Sequence, residues 1–170
     1  AYRWRVLQGA RVDLLGPRQF ERLTAELLRR DGFRGVRVLG GAGDRGVDVV
    51  GTAPDGTRYA IQCKRYTTPV GPGPVREFIG ALQSAAYRGH RGVLVTSHHL
   101  SRQAAETAAE SGLLVIDRDR LADWLRGAYT LAPGRTRFPA VLRWPRRGGR
   151  APGNGSAPAA RPAGEDEAGS

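Results

Sequence analysis

The 170-residue chain contains one cysteine, one lysine and no methionine. The single cysteine, Cys63, excludes an intramolecular disulfide and a cysteine-based zinc site, so nothing in the composition calls for an oxidising compartment. No stretch of even a dozen residues lacks a charge, which excludes a transmembrane span or a signal-peptide core within these residues. With no methionine, residue 1 is not expected to be the encoded start: either the N-terminus is processed or the chain is the C-terminal part of something longer. Negative charge is also scarce. Sixteen acidic residues stand against twenty-seven basic ones, for a net charge of +11 and a pI near 11.2. That balance favours a polyanionic partner, nucleic acid ahead of a membrane surface, because clustered cations release counterions from phosphates. The 40% apolar and 25% charged residues are otherwise ordinary for one globular domain with a tail.

Lys64 is the one lysine among twenty-six arginines. A compositional bias accounts for the arginines. Arginine is always protonated and planar, whereas lysine is a compact ammonium whose pKa moves readily, so a position that kept lysine marks a need for a small or titratable cation.

Pro17 suits the first turn of a helix, Phe20, Leu23, Leu27 and Leu28 recur at helical spacing, and Gly32 closes the element. Val36 to Leu39 reads as a strand, followed by the glycine-rich run 40–43. Val47–Val50 and Tyr59–Lys64 read as a hairpin around the turn Pro54-Asp55-Gly56. After a loop over 67–74, Val75, Phe78, Ile79, Leu82 and Ala86 form the apolar face of a second helix. Gly92–Thr96 and Leu113–Ile116 are apolar enough to be strands buried on both faces. A helix capped by Ser101 lies between them and implies parallel pairing, and a short helix spans Arg118–Arg126. From Ala132 onward thirteen of thirty-nine residues are Gly or Pro, a composition expected to be disordered.

Asp48 lies on one arm of the hairpin, and Gln62 and Lys64, two apart and so on one face, lie on the other. A carboxylate, an amide and an ammonium among Val47, Val49, Val50, Ala60 and Ile61 are costly unless they serve a ligand, or form a salt bridge at a sheet edge. The preceding Gly43-Asp44-Arg45-Gly46 suits close approach of a ligand, with Asp44 as a turn residue. Cys63 points away from the Gln62/Lys64 face and reads as an apolar side chain.

Phe20-Glu21, then Gly43-Asp44-Arg45-Gly46-Val47-Asp48, then Gln62-Cys63-Lys64-Arg65-Tyr66 resemble the catalytic domain of the Mrr-like restriction endonucleases, within the PD-(D/E)xK nuclease superfamily. The resemblance covers about residues 17 to 126. It implies an α/β fold, a restriction-endonuclease-like α/β/α sandwich with a central mixed sheet. The expected organisation is an N-terminal extension over 1–16, the nuclease domain over 17–129 and a disordered basic tail over 130–170. It further implies an Mg²⁺-dependent deoxyribonuclease, with Mn²⁺ as an alternative ion. Asp48, the Gln62 side-chain oxygen, the Cys63 carbonyl and Glu21 would hold the metal, and Lys64 would serve the attacking water and the phosphate. The wider superfamily places Asp or Glu where this chain has Gln62, a substitution usual among Mrr-like members. Arg45, Arg65 and, in the tail, Arg143, Arg146 and Arg147 are expected to contact DNA. A cytoplasmic location is also expected, and a homodimer is one assembly open to the chain. Other readings are a binding module that kept the fold without turnover, and a Holliday-junction-resolving nuclease. Gln83 and Tyr87 have the Gln-x-x-x-Tyr spacing of RecB-like nucleases and would share a face of the second helix. His98-His99, with no third ligand in view, reads as a loop. No base-reading element is evident, so sequence or methylation specificity is not argued.

Overall fold

The computed structural model describes residues 9–40 and 46–132. Of the tail expected to be disordered over 130–170, residues 130–132 are described, with Leu131 and Ala132 buried in the core and not in a tail, while 133–170, like the stretch 41–45, lies outside the described residues.

A 3-10 helix, Gly9–Leu14, leads into α1, Pro17–Arg30. Pro17 begins α1, and the Gln19 Oε1 accepts from the Gly16 N–H at 2.8 Å, satisfying a donor just outside the first turn. Phe20, Leu23, Thr24, Leu27 and Leu28 are buried, at intervals of three and four residues, while Arg18, Arg22, Glu26 and Arg29 face solvent. The helix stops because Gly32 takes a left-handed φ of +89°. Its N–H donates to Arg29 O and that of Phe33 to Leu28 O, which satisfies two terminal carbonyls.

The strands β1 (Arg34–Val38), β2 (Val49–Thr52), β3 (Arg58–Lys64), β4 (Arg91–Thr96) and β5 (Leu114–Ile116) form one mixed sheet in that spatial order. The first three pair antiparallel; β3 with β4 and β4 with β5 pair parallel. Parallel pairing requires crossovers, supplied by α2 (Pro72–Leu82) and α3 (Arg102–Glu110). The last helix, α4, is Arg118–Arg126. Alternation along the strands divides the core in two. Tyr59, Ile61, Val93 and Val95 pack with α1 and α4, whereas Ala60 and Leu94 pack with Val75 and Phe78 of α2 and Ala104 and Ala108 of α3. Each fully buried large apolar side chain contributes roughly 1.5–3 kcal/mol, so both faces must be covered. The result is an α/β/α sandwich, as expected. Val12 and, past α4, Leu131 and Ala132 also belong to the core.

Three local expectations are corrected. The second strand starts at Val49 and not Val47, because the Cys63 N–H goes to the side chain of Asp48 and not to a backbone carbonyl. α2 starts at Pro72, its two prolines lying in the first turn where no hydrogen bond is lost. It ends at Leu82, where the chain turns through i−3 hydrogen bonds from Gln83 and Ser84. Gln83 is therefore an exposed cap, Ala86 is exposed and Tyr87 sits in a turn, so Gln83 and Tyr87 do not share a helix face.

Candidate active site

β3, β4 and β5 run parallel, and each is followed by a helix. Lys64, Thr96 and Ile116 therefore end at one edge of the sheet, where α2, α3 and α4 begin. α1 runs antiparallel to the strand after it, so its N-terminal half, with Arg18 and Glu21, reaches the same edge. Helix N-termini carry partial positive charge, which favours anions at this end.

Asp48 sits one residue before β2. Its N–H donates to Ile61 O at 2.8 Å, and its Oδ2 accepts from the Cys63 N–H at 2.7 Å. The carboxylate thus takes the place of a ladder acceptor and is held over the β3 backbone beside Gln62 and Lys64. Burial raises the Asp48 pKa above the usual carboxylate range. The Cys63 N–H opposes this, Glu21 adds to it, and Lys64 and Arg18 oppose it. Glu21 and Lys64 are therefore both within electrostatic reach of Asp48, although they come from different elements. Glu21 is itself largely buried, its side chain 14% exposed. Arg18 Nη1 lies 3.3 Å from Glu21 Oε2 and donates to Leu39 O at 3.1 Å, tying α1 to the end of β1.

Gln62 is 4% exposed, and its Oε1 is buried without a hydrogen-bond partner. Leaving such an acceptor unsatisfied costs about 1–3 kcal/mol. An orphaned amide oxygen on Gln62 and a carboxylate whose charge is disfavoured, held by the N–H of the next residue, Cys63, make a setting that a cation would complete. The donors are hard oxygens, as Mg²⁺ prefers, so the residues present fit a divalent ion. Lys64 is half-buried at the end of β3, and its carbonyl accepts from the Ser97 N–H at 3.3 Å. Ser97 Oγ in turn bonds both the N–H (3.2 Å) and the carbonyl (3.3 Å) of Tyr66, which fixes the segment after Lys64. The Cys63 side chain faces the α1 side, its Sγ 3.5 Å from Thr24 Oγ1, and burial pushes its thiol pKa well up. It is an inert packing residue.

Arg65 Nη1 donates to Asp13 O at 3.1 Å, and Arg118 makes two bonds to the Asp13 carboxylate at 3.0 and 3.1 Å. Both arginines thereby anchor the 3-10 helix. Arg45, Arg143, Arg146 and Arg147 lie outside the described residues. A second group was not anticipated: ligand atoms of His99, Asp117 and Asp119 lie within 4.8 Å of one another, with His99 Nδ1 3.7 Å from Asp117 Oδ2. The β4–β5 pairing brings these residues together across eighteen positions, a contact that required the topology to see. Asp117 already caps α4 through Arg120 N at 3.0 Å, and His99 and Asp119 are exposed.

A mixed sheet sandwiched by helices, with Gln62 and Lys64 on its antiparallel-to-parallel junction strand β3 and Asp48 just ahead of the neighbouring β2, defines a restriction-endonuclease-like domain. Residues 12–125 match the restriction endonuclease family, in its Mrr catalytic domain, and the chain belongs to that family. Among solved structures, the chain is similar in fold to the DNA modification-dependent restriction endonuclease AspBHI, with 24% identity over 64% of this chain and 30% of that one and a TM-score of 0.51. A protein of unknown function, AF1548, aligns at 24% identity over 56% of this chain and 54% of that one, TM-score 0.48. The MspJI restriction endonuclease, solved with a 27-mer oligonucleotide, aligns at 26% over 74% and 29%, TM-score 0.45. The chain spans about half of AF1548 and under a third of the two restriction enzymes. No curated protein matches it. No helix among the described residues is long and apolar enough to cross a membrane.

Proposed function

We propose that this domain is a metal-dependent DNA endonuclease whose site comprises Glu21, Asp48, Gln62 and Lys64. The observation that carries the reading is the buried, unpartnered Gln62 Oε1, one residue before the Cys63 N–H that holds the Asp48 carboxylate. Asp48, Gln62 Oε1, the Cys63 carbonyl and Glu21 would hold Mg²⁺ or Mn²⁺. When bound, the ion would acidify water and stabilise charge on a scissile phosphate. Asp48 keeps its place through the Cys63 N–H, so its second oxygen remains free to act as a ligand. Lys64 brings the ammonium that orients the attacking water and offsets charge building on the phosphate. A planar, non-titrating guanidinium there would serve neither end well. The helix N-termini at this edge add a field that favours the DNA backbone.

A homodimer would bring two such sites to opposite strands at once, and a cytoplasmic location would bring the domain to DNA. Plasmid nicking that requires Mg²⁺, stops with EDTA and disappears in Asp48→Asn tests the reading. One observation favours a second: Gln62 is neutral where a carboxylate would bind metal more tightly. DNA binding without nicking at any Mg²⁺ or Mn²⁺ concentration would select the binding module instead.

A further inference from the structure

An amide side chain has two ends of nearly equal size and opposite polarity, and only its oxygen can ligate a cation. Something must therefore decide which end of Gln62 faces the site. In this protein the Gln62 nitrogen Nε2 lies against the backbone of Gly46. A Cβ at residue 46 would sit 2.8 Å from that nitrogen, closer than real Cβ contacts come. Gly46 also holds a φ of +80°, a region open to glycine and, next best, asparagine. The other end of the amide, Oε1, is buried and accepts no hydrogen bond. The missing side chain thus makes a berth for the NH₂ end and leaves the buried oxygen without a protein donor. Gly92 makes a useful contrast, because the nearest atoms a Cβ there would meet are leucine methyls, of Leu82 and Leu113, and its bareness serves packing.

We propose that Gly46 is a positioning residue for Gln62, its bare backbone receiving Nε2 so that Oε1 is offered to the cation; this rests on the metal-site reading above. Gly46 lies two residues before Asp48, so the segment that delivers the carboxylate also sets the neighbouring amide. Sequence and structure link here through sterics alone: one hydrogen where every other residue has a carbon.

Two measurements test it. In metal-free ¹⁵N-labelled protein, the Gln62 side-chain NH₂ pair is identified by its loss in Gln62→Ala. That pair should shift in Gly46→Ala and also in Gly46→Asn, which tolerates positive φ but carries a Cβ and so separates steric contact from backbone strain. In Mg²⁺ or Mn²⁺ calorimetry, Gly46→Ala should weaken binding about 10- to 100-fold, as loss of a ligand-orienting neighbour does. In the Gln62→Ala background the same change should add no more than about twofold. Equal weakening with and without the Gln62 amide overturns the proposal, as does an NH₂ pair unmoved in both glycine variants. If the parent binds Mg²⁺ and both glycine variants bind it equally well, the positioning role falls and the metal site stands. If the parent binds no metal, both fall together.

Discussion

Helix α1 has a polar corner near each end, and the two corners are built to opposite rules. At its C-terminus, Asp31 accepts from Trp124 Nε1 and from Leu131 N, both at 2.7 Å, and lies 3.6 Å from Arg30 Nε. Arg30 in turn donates to the carbonyls of Trp124 and Leu125, closing the end of α4. This carboxylate has a donor for each task, and the arrangement fastens α1, α4 and the segment beyond into one unit. At the other end, Asp48 has a single backbone donor and a second carboxylate, Glu21, nearby, while Gln62 Oε1 has no donor at all. Saturated polar networks stabilise folds; unsaturated ones are kept where a ligand completes them.

The contrast between the corners can be broken from either side. Lys64→Ala should reduce DNA cleavage by about 100- to 10,000-fold, the range of a lost proton-transfer group, with binding nearly unchanged; Lys64→Arg should be almost as damaging. Rapid nicking by the arginine variant would remove the case for lysine chemistry. Asp31→Ala strips acceptors from Trp124 Nε1 and Leu131 N and should cost about 2–4 kcal/mol in urea unfolding. Asp31→Asn, which keeps one acceptor, should cost less, and unchanged stability in both would mean the corner is not the fastening described. Ser101→Ala gives a yardstick away from both corners. Its hydroxyl caps α3 through Ala104 N at 3.2 Å, so its loss should cost about 1 kcal/mol with cleavage unaltered.

The smallest effect has the most telling sign. Because the folded-state pKa of Asp48 is raised, its contribution to stability is fully present below the unfolded-state pKa and is lost as pH rises through the folded value. In EDTA at neutral pH, Asp48→Asn should therefore unfold at a slightly higher temperature than the parent, and the gap should close on acidification. A lower midpoint for the asparagine variant would show that the near corner is as satisfied as the far one.

Most of the secondary structure is legible in the sequence because periodicity and terminators agree: the spacing from Phe20 to Leu28, Ser101 ahead of α3, the glycines after α1 and α3. Legibility fails where side chains replace backbone partners or where the apolar signal is thin. Asp48 usurps a ladder bond, so β2 starts late. Ala85 and Ala86 bury too little to prolong α2, and Gln83 and Tyr87 lose the face they would have shared. Asp48, Gln62 and Lys64 can be read as neighbours because a hairpin joins them. Glu21 comes only from family resemblance, since nothing local says which end of the sheet a helix reaches. The Asp31 corner is silent in the sequence, although a buried Trp124 always asks for an acceptor. The His99, Asp117 and Asp119 group needs two parallel strands to be set side by side.

Lys64 ends β3 half-buried, and it carries the chain's one side-chain amine. Within these 170 residues, side-chain amine chemistry that would scatter over most proteins is therefore confined to the edge of the sheet where β3 ends. Reductive methylation becomes a footprint of one position: if the proposed site holds, its rate at Lys64 should fall when Mg²⁺ or DNA is added. A tethered photocrosslinker introduced the same way would mark whichever phosphate lies within its reach. The scarcity of lysine makes these 170 residues their own single-site probe.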